Sequence, residues 1–318
     1  MGAVGNNYGL LTGDGTIAGN IINQSGGEVR AESGKTLYFT HPSTGIPNAG
    51  RLNLLGGTLN YGHRLNNNSN GQINGHGVLY FPTSPVPSSA SPTAGLMNAG
   101  QMNLSGGDSQ IYGTVQMEAG SRLIVSGGAT ATFYDVFRHN GAEVKASAGS
   151  SLVFFGEVRG AGSFTGSGTI YMEGGYSPGN SPAMVTLDAP IVLGDANVLT
   201  LELGGLTAGL GLGVNPLDGY DQLTLGTGGA LTLDGTLIID LINDFIPLVG
   251  QTFQVFDFQP GQISGSFDEI VFADALPSGT SFDTSSLLTN GKVAVVPEPS
   301  SALLLLGGLA LAARRRRK

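Results

Sequence analysis

The 318-residue sequence contains no cysteine and no tryptophan, and charged side chains make up only 12% of it. Without cysteine, the chain can form neither a disulfide framework nor a thiolate metal site. Glycine is abundant at 53 residues, and each interior glycine costs a helix about 1 kcal/mol relative to alanine. Collagen is excluded because glycine has no three-residue period, and the 40% hydrophobic share argues against full disorder. We therefore expect an all-β chain of short strands joined by turns.

Charge is distributed unevenly along the chain. Residues 1–187 carry 8 basic and 9 acidic side chains, residues 188–296 carry only Lys292 against 13 acids, and residues 297–318 carry five basic residues against Glu298. Because the long segments contain no basic patch that could neutralise phosphates, we expect no nucleic-acid partner. The basic C-terminus marks a separate segment.

Three related units repeat within the first half of the chain. An eleven-residue unit places a glycine five residues after a valine and occurs at residues 29–39, 115–125 and 144–154. Two further units occur in pairs, at residues 48–57 and 98–107 and at residues 71–81 and 162–172. Apolar residues alternate with polar ones on both sides of the glycine, which is typical of strands with one buried face. The eleven-residue unit predicts a strand, a tight glycine turn and a second strand.

Units that cannot bury a face alone must stack, so the repeats predict a β-solenoid, most naturally a right-handed parallel β-helix. A β-sandwich of the same short strands is the alternative. We expect the repetitive solenoid over residues 1–187. An acidic, β-rich capping region at 188–290 would either continue the solenoid or close its exposed edge, and residues 291–296 would be a linker.

The last residues have the composition of a membrane segment. Residues 300–313 are uncharged and mostly apolar, and five cations follow at once: Arg314, Arg315, Arg316, Arg317 and Lys318. As a helix, the apolar run spans about 21 Å, short of a ~30 Å hydrocarbon core, and bilayer thinning can absorb the difference. A buried core helix of this length could not accept five cations. We predict a single short transmembrane helix whose cations stay cytoplasmic.

The residues before this helix complete a known pattern. Val296, Pro297, Glu298, Pro299 and Ser300, the leucine-rich segment and the terminal arginine cluster together resemble the PEP-CTERM sorting signal of Gram-negative bacteria. The resemblance covers residues 297–318 and the valine before them. It implies that an exosortase-type membrane protease recognises and cleaves this segment. The two prolines each fix a φ angle and bar a helix here, so they present an extended polar site before the membrane.

The resemblance also implies export. The protein would be anchored in the inner membrane with its C-terminus in the cytoplasm before processing, and would then reach the cell surface or the extracellular space. The family pattern includes an N-terminal signal peptide, but residues 1–8 have neither a basic region nor an apolar stretch. We therefore expect the true start of the protein to lie upstream. Residues 176–183 resemble a segment near the end of autotransporter-like solenoid passengers.

Patterns that could carry catalysis are weak. Residues 175–179 match G-x-S-x-G, but the residue after Ser177 is Pro178, which has no N–H to serve an oxyanion hole. No metal-ligand spacing connects the four histidines, and we expect solvated turn positions for all of them. They are His41, His63, His76 and His139. We expect no catalytic residue and no cofactor.

Five acids of the predicted cap, which could collect Ca²⁺ through oxygen ligands, lack the spacing of known calcium loops. They are Asp218, Asp221, Asp234, Asp240 and Asp244. We therefore interpret them as solubilising charge and expect no metal site.

Together these features predict a non-enzymatic surface or extracellular-matrix structural protein, associated with exopolysaccharide or biofilm. Two alternatives stay open. The first is a β-helix enzyme degrading polysaccharide, for example through Asp135 and Glu157, because residues a coil apart can converge in a solenoid. The second is an adhesin that binds glycans through exposed Tyr38, Tyr80 and Tyr171.

Overall fold

A computed structural model describes residues 4–40, 45–81, 95–179, 182–209 and 218–298. Its regular secondary structure is almost entirely β-strand, as the glycine content predicts. Its first strands, in chain order, are β1 Val4–Asn7, β2 Leu10–Thr12, β3 Gly15–Ile17, β4 Asn20–Asn23, β5 Glu28–Glu32, β6 Thr36–Phe39, β7 Ile46–Asn48, β8 Arg51–Tyr61, β9 Leu65–Asn67, β10 Gln72–Tyr80, β11 Leu96–Asn98, β12 Gln101–Ser105, β13 Ser109–Tyr112, β14 Val115–Met117, β15 Arg122–Ser126, β16 Thr130–Phe133, β17 Phe137–His139, β18 Glu143–Ala146 and β19 Ser151–Phe154.

The second half continues with short strands and one short helix. The elements are β20 Val158–Gly160, β21 Ser163–Thr165, β22 Thr169–Met172, β23 Gly175–Pro178, β24 Met184–Asp188, β25 Pro190–Leu193, β26 Val198–Leu203, β27 Thr207–Ala208, β28 Gly219–Tyr220, β29 Gln222–Leu225, β30 Ala230–Leu233, β31 Thr236–Leu241, β32 Thr252–Gln254, β33 Phe256–Asp257, β34 Ile263–Gly265, β35 Glu269–Phe272, β36 Thr280–Asp283, α1 Leu287–Asn290 and β37 Lys292–Pro297.

Most strands pair in parallel and form three long ladders. The first ladder runs β1, β4, β7, β9, β11, β14, β17, β20, β23, β26, β31 and β35. The second runs β2, β5, β8, β10, β12, β15, β18, β21, β24, β29 and β33, and the third runs β3, β6, β8, β10, β13, β16, β19, β22, β25, β30 and β34. Partner residues in mid-body lie 21 or 22 residues apart, for example Met102 with Leu123 and Ile111 with Phe133.

This pairing fits the predicted parallel β-helix. It differs from the β-sandwich alternative, whose sheets are antiparallel. The mid-body ladder strands bury alternate side chains, as in β15, where Leu123 and Val125 face inward and Arg122 faces outward. Inward aromatic rings also stack from coil to coil, with ring centroids 4.6 Å apart for Phe39 and Tyr61.

The eleven-residue units form a strand, a glycine turn and a strand in all three places. Their glycines, Gly34, Gly120 and Gly149, have φ of 74°, 79° and 74°, a left-handed conformation that glycine adopts without steric cost. The same sequence unit serves two different corners. The units at residues 29–39 and 144–154 connect the second ladder to the third, whereas the unit at 115–125 connects the first ladder to the second.

Asparagines line the corner where the first ladder ends, and all of them are buried except Asn7, which is half-buried. Each Nδ2 donates to the Oδ1 of the next asparagine along the coils, and we call this row the inner ladder. Its members are Asn7, Asn23, Asn48, Asn67 and Asn98, with successive distances of 2.8, 2.7, 2.6 and 2.6 Å. The row ends where Asn98 Nδ2 contacts Met117 Sδ at 3.3 Å. A second row, the outer ladder of Asn53, Asn74 and Asn103, lies on the half-exposed outer side with distances of 3.2 and 3.0 Å.

The region predicted as a cap contains two different structures. The parallel ladders continue past residue 188 as far as β34 and β35. A separate three-stranded antiparallel sheet then forms from β32, β37 and β36, with β37 in the centre. The linker predicted at residues 291–296 instead consists of Gly291 and most of β37. Its alternating pattern explains this, since Val293 and Val295 are buried while Lys292 is exposed.

Candidate functional site

Strand β37 leads directly into the predicted sorting segment. On one side it pairs with β32, where Phe253 lies opposite Val293, and on the other side with β36, where Thr280 lies opposite Pro297. The backbone N–H of Glu298 then donates to the carbonyl of Gly279 at 2.9 Å. The first residues of the sorting segment are therefore part of the folded body.

The structure divides the predicted sorting residues into two groups. Val296 and Pro297 complete β37, and Glu298 follows as an exposed residue with its backbone held. Pro299 and Ser300, the apolar run 300–313 and the cations Arg314, Arg315, Arg316, Arg317 and Lys318 lie outside the described residues. Among the residues that are described, no helix is long and apolar enough to cross a membrane.

Comparison with known families identifies the C-terminal segment. Residues 295–318 match the PEP-CTERM protein-sorting motif. The chain carries a PEP-CTERM sorting signal. This signal supports an exported protein that is anchored in a membrane before processing and is sorted by an exosortase, a membrane protease. A comparison with curated protein sequences finds no match.

The G-x-S-x-G pattern lies within regular strand structure. Ser177 is in β23, with Arg159 beside it on β20. A nucleophile elbow needs a sharp turn from a strand into a helix, and β23 is followed by a bridge at Gly179 instead. Ser177 therefore lies within a strand and not on a turn of that kind.

The expectation of solvated histidines was wrong for His139. This side chain is fully buried at the end of β17, and its Nε2 lies 2.9 Å from the carbonyl oxygen of Ala142. Burial lowers its pKa to about 4, so the ring is neutral and Nε2 donates. His63 and His76 are half-buried, and His41 lies outside the described residues. His139 occupies the strand-end position that the inner-ladder asparagines occupy in earlier coils.

The acids of the cap also differ from one another. Asp221 is buried, which corrects the solubilising role expected for it, and its two oxygens accept the N–H groups of Ala183 at 2.7 Å and Glu202 at 2.8 Å. Burial raises the pKa of Asp221 to about 8, although both hydrogen bonds favour the charged form. The side chain of Asp221 therefore links its own segment, between β28 and β29, to the backbone at Ala183 and at Glu202 of β26. Asp218, Asp240 and Asp244 are not part of this contact.

Asp234 lies in a different acidic group. It has one carboxylate oxygen within 4.8 Å of oxygens of Asp195 and Asp268. The three residues follow β25, β30 and β34, so the turns of successive coils bring them together. Sequence spacing alone could not show this grouping, because the three aspartates are 39 and 34 residues apart.

The residues named for the enzyme alternative have local partners. Asp135 Oδ2 accepts the N–H of Gly113 at 2.7 Å, and Glu157 forms a 2.7 Å ion pair with Arg159. A shallow groove of about 500 Å³ lies elsewhere on the body, and its charged lining consists of Lys145 and Asp188. A glycosidase needs two carboxyl groups flanking the scissile bond, and Asp188 is the single carboxylate lining this groove.

Tyrosines named for the adhesin alternative are partly exposed, and one of them belongs to a stacked row. Tyr80, Tyr112, Tyr134 and Phe155 follow one another on the outer side of the third ladder, with ring centroids 6.0, 4.4 and 5.7 Å apart. Tyr38 precedes this row and is 36% exposed, and Tyr171 is half-buried on β22. Within the row, Tyr134 stacks on Tyr112 and on Phe155, whereas the rings of Tyr80 and Tyr112 are tilted by 39°.

Proposed function

We propose that this protein is an exported, non-enzymatic structural component of the cell surface or extracellular matrix, associated with exopolysaccharide or biofilm. An exosortase sorts and cleaves it through the C-terminal signal. The sorting motif at residues 295–318 carries this proposal, because it continues directly from the last strand of the body. Before processing, the body lies outside the inner membrane and the arginine cluster lies in the cytoplasm.

The body supports a role as a β-solenoid spacer. Three parallel ladders extend over most of the described residues, so each coil is held by hydrogen bonds to the coils before and after it. Its outward positions are rich in uncharged polar groups such as the outer ladder of Asn53, Asn74 and Asn103. Such a surface can hydrogen-bond to hydrated polysaccharide without carrying out chemistry on it.

The glycan-binding adhesin is the second candidate, and the exposed aromatic row favours it. Sugars usually stack on a free aromatic face. Tyr112 and Tyr134, however, lie face to face with centroids 4.4 Å apart and an interplanar angle of 3°, so each covers a face of the other. This contact supports a packing role for the row and ranks the structural proposal first.

The test compares the chain in a host with an exosortase and in the same host lacking it. We expect a shortened, released form only where the exosortase is present, measured by intact mass and membrane fractionation. Glu298→Gln, within the motif, should slow its appearance. The matched control Lys292→Gln changes an exposed residue of the same strand outside the motif and should leave processing unchanged. Equal processing in both hosts would contradict the proposal.

A further inference from the structure

A short loop between β31 and β32 exposes three large aliphatic side chains within four consecutive residues. Ile246 is 62% exposed, Leu248 is 64% exposed and Val249 is 51% exposed. Single exposed aliphatics are ordinary on protein surfaces, but a contiguous group often marks an interaction site. We call Ile246, Leu248 and Val249 the apolar tip.

The apolar tip is held in place by its neighbours. Phe245 is partly buried against the core, with its ring edge-on to Phe253 at a centroid distance of 6.0 Å, and Pro247 is buried. The N–H of Leu248 donates to Gln251 Oε1 at 2.8 Å, and the Gln251 N–H donates back to the Leu248 carbonyl at 3.0 Å. Phe245 and Pro247 thus face inward and anchor the loop, while the three side chains of the tip stay exposed.

The apolar tip lies beside the point where the chain leaves the body for the sorting signal. Gly250, the next residue after the tip, donates its N–H to the carbonyl of Val295 at 2.8 Å. The antiparallel register between β32 and β37 places Thr252 opposite Ala294, so Gly250 comes opposite Val296. The tip is therefore next to Pro297, the last residue of β37.

Very little chain separates this edge from the apolar C-terminal run. Glu298 is the last residue described, and the uncharged run begins at Ser300. Two residues span at most about 7 Å. When the run enters a bilayer, the edge of the body that holds Pro297 and the apolar tip must come close to the bilayer surface.

Given the proposed membrane-anchored stage, we propose that the apolar tip inserts into the lipid surface and docks the body on the bilayer before processing. The occupant is the boundary between headgroups and acyl chains, where aliphatic side chains bury ~5–10 Å deep. Attraction between charges does not drive the contact, because residues 188–296 carry one cation against 13 acids. The docking is apolar and holds a fixed edge of the body toward the membrane-embedded protease.

The absence of tryptophan provides a direct test, since one introduced tryptophan is the sole indole in the chain. Full-length Leu248→Trp would be reconstituted through its tail into vesicles of phosphatidylcholine with brominated acyl chains. We expect the indole emission to be shifted to the blue and its intensity to fall about twofold relative to vesicles of the same lipid without bromine. High salt should change neither result. Ile246→Trp should behave alike, which guards against a local effect of one substitution.

Two further reporters distinguish the possible failures. Leu305→Trp reports insertion of the tail, and Leu55→Trp, at a 50% exposed position on β8, reports non-specific contact of the body with lipid. Quenching at 305, 248 and 246 but not at 55 supports docking. Quenching at 305 alone overturns this inference and leaves the proposed function standing. Quenching at 55 as strong as at 248, or loss of tip quenching in salt, also overturns it. Absence of quenching at 305 contradicts the anchored stage itself.

Discussion

Replacing Asn67 with alanine should be among the most destabilising single changes in the body. The substitution removes two buried amide–amide hydrogen bonds of 2.6 Å, one from Asn48 and one to Asn98. Each such bond contributes about 1 kcal/mol, and an unsatisfied buried acceptor costs about 1–3 kcal/mol more. Asn98 Oδ1 loses its donor, whereas Asn48 Nδ2 keeps a 3.3 Å contact to the carbonyl of Gly50. We therefore expect Asn67→Ala to lower the free energy of unfolding by about 3–5 kcal/mol.

Asn74→Ala provides the matched control from the outer ladder. Asn74 also loses two amide–amide bonds, of 3.2 and 3.0 Å, but it is half-buried and water can replace its partners. The expected loss is about 0.5–1.5 kcal/mol. Urea unfolding followed by far-ultraviolet circular dichroism measures both, with the shift read from the midpoint at an unchanged slope. Equal midpoints for the two variants would refute the argument that burial gives the inner ladder its strength.

Three further outcomes follow from single positions. Because burial lowers the pKa of His139 from 6.5 to about 4, the unfolded chain binds this proton more tightly. The free energy of unfolding therefore decreases by about 3 kcal/mol as pH falls from 6.5 to 4. The urea midpoint of His139→Gln should depend less on pH over this range than that of the wild type. In the same urea assay, Gly75→Ala should destabilise the folded protein more than Gly120→Ala. Both glycines have a positive φ, so both substitutions cost backbone strain. At Gly75 the added Cβ would also meet the carbonyl oxygen of Leu54, whereas at Gly120 it would meet no atom. With a chelator present, Asp268→Asn should raise the melting temperature, because it relieves repulsion among the carboxylates of Asp195, Asp234 and Asp268. Calcium should leave the melting temperature of the wild type unchanged. A calcium-dependent rise in the wild type but not in the variant would reveal a metal site.

Local repeats predicted much of the fold. The eleven-residue units specify two strands and the glycine turn between them, because the left-handed residue and the alternation of apolar side chains are both encoded within eleven positions. The corner at which each unit lies could not be predicted. The unit at residues 115–125 and the unit at 144–154 share one pattern but connect different ladders, so the pattern within the unit does not distinguish the two corners.

Whether the burial of a side chain could be predicted depended on how far along the sequence its partners lie. A buried His139 could have been predicted by aligning His139-Asn-Gly141 with Asn98-Ala-Gly100, since both end a first-ladder strand before a glycine corner. The partners of Asp221 are 38 and 19 residues away, so no local pattern marked it as buried. Strand β37 did have a period-two signal, because Val293 and Val295 alternate with Lys292 and Ala294 in the segment that we interpreted as a linker.

The antiparallel sheet around β37 determines how the body bears a pulling force. Tension applied through the C-terminal tail acts along the axis of β37, which lies between β32 and β36. Hydrogen bonds in an antiparallel pair run perpendicular to the strands, so such a pull loads them together in shear instead of opening them one after another. Tension on the tail would thus meet a strand that is held from both sides.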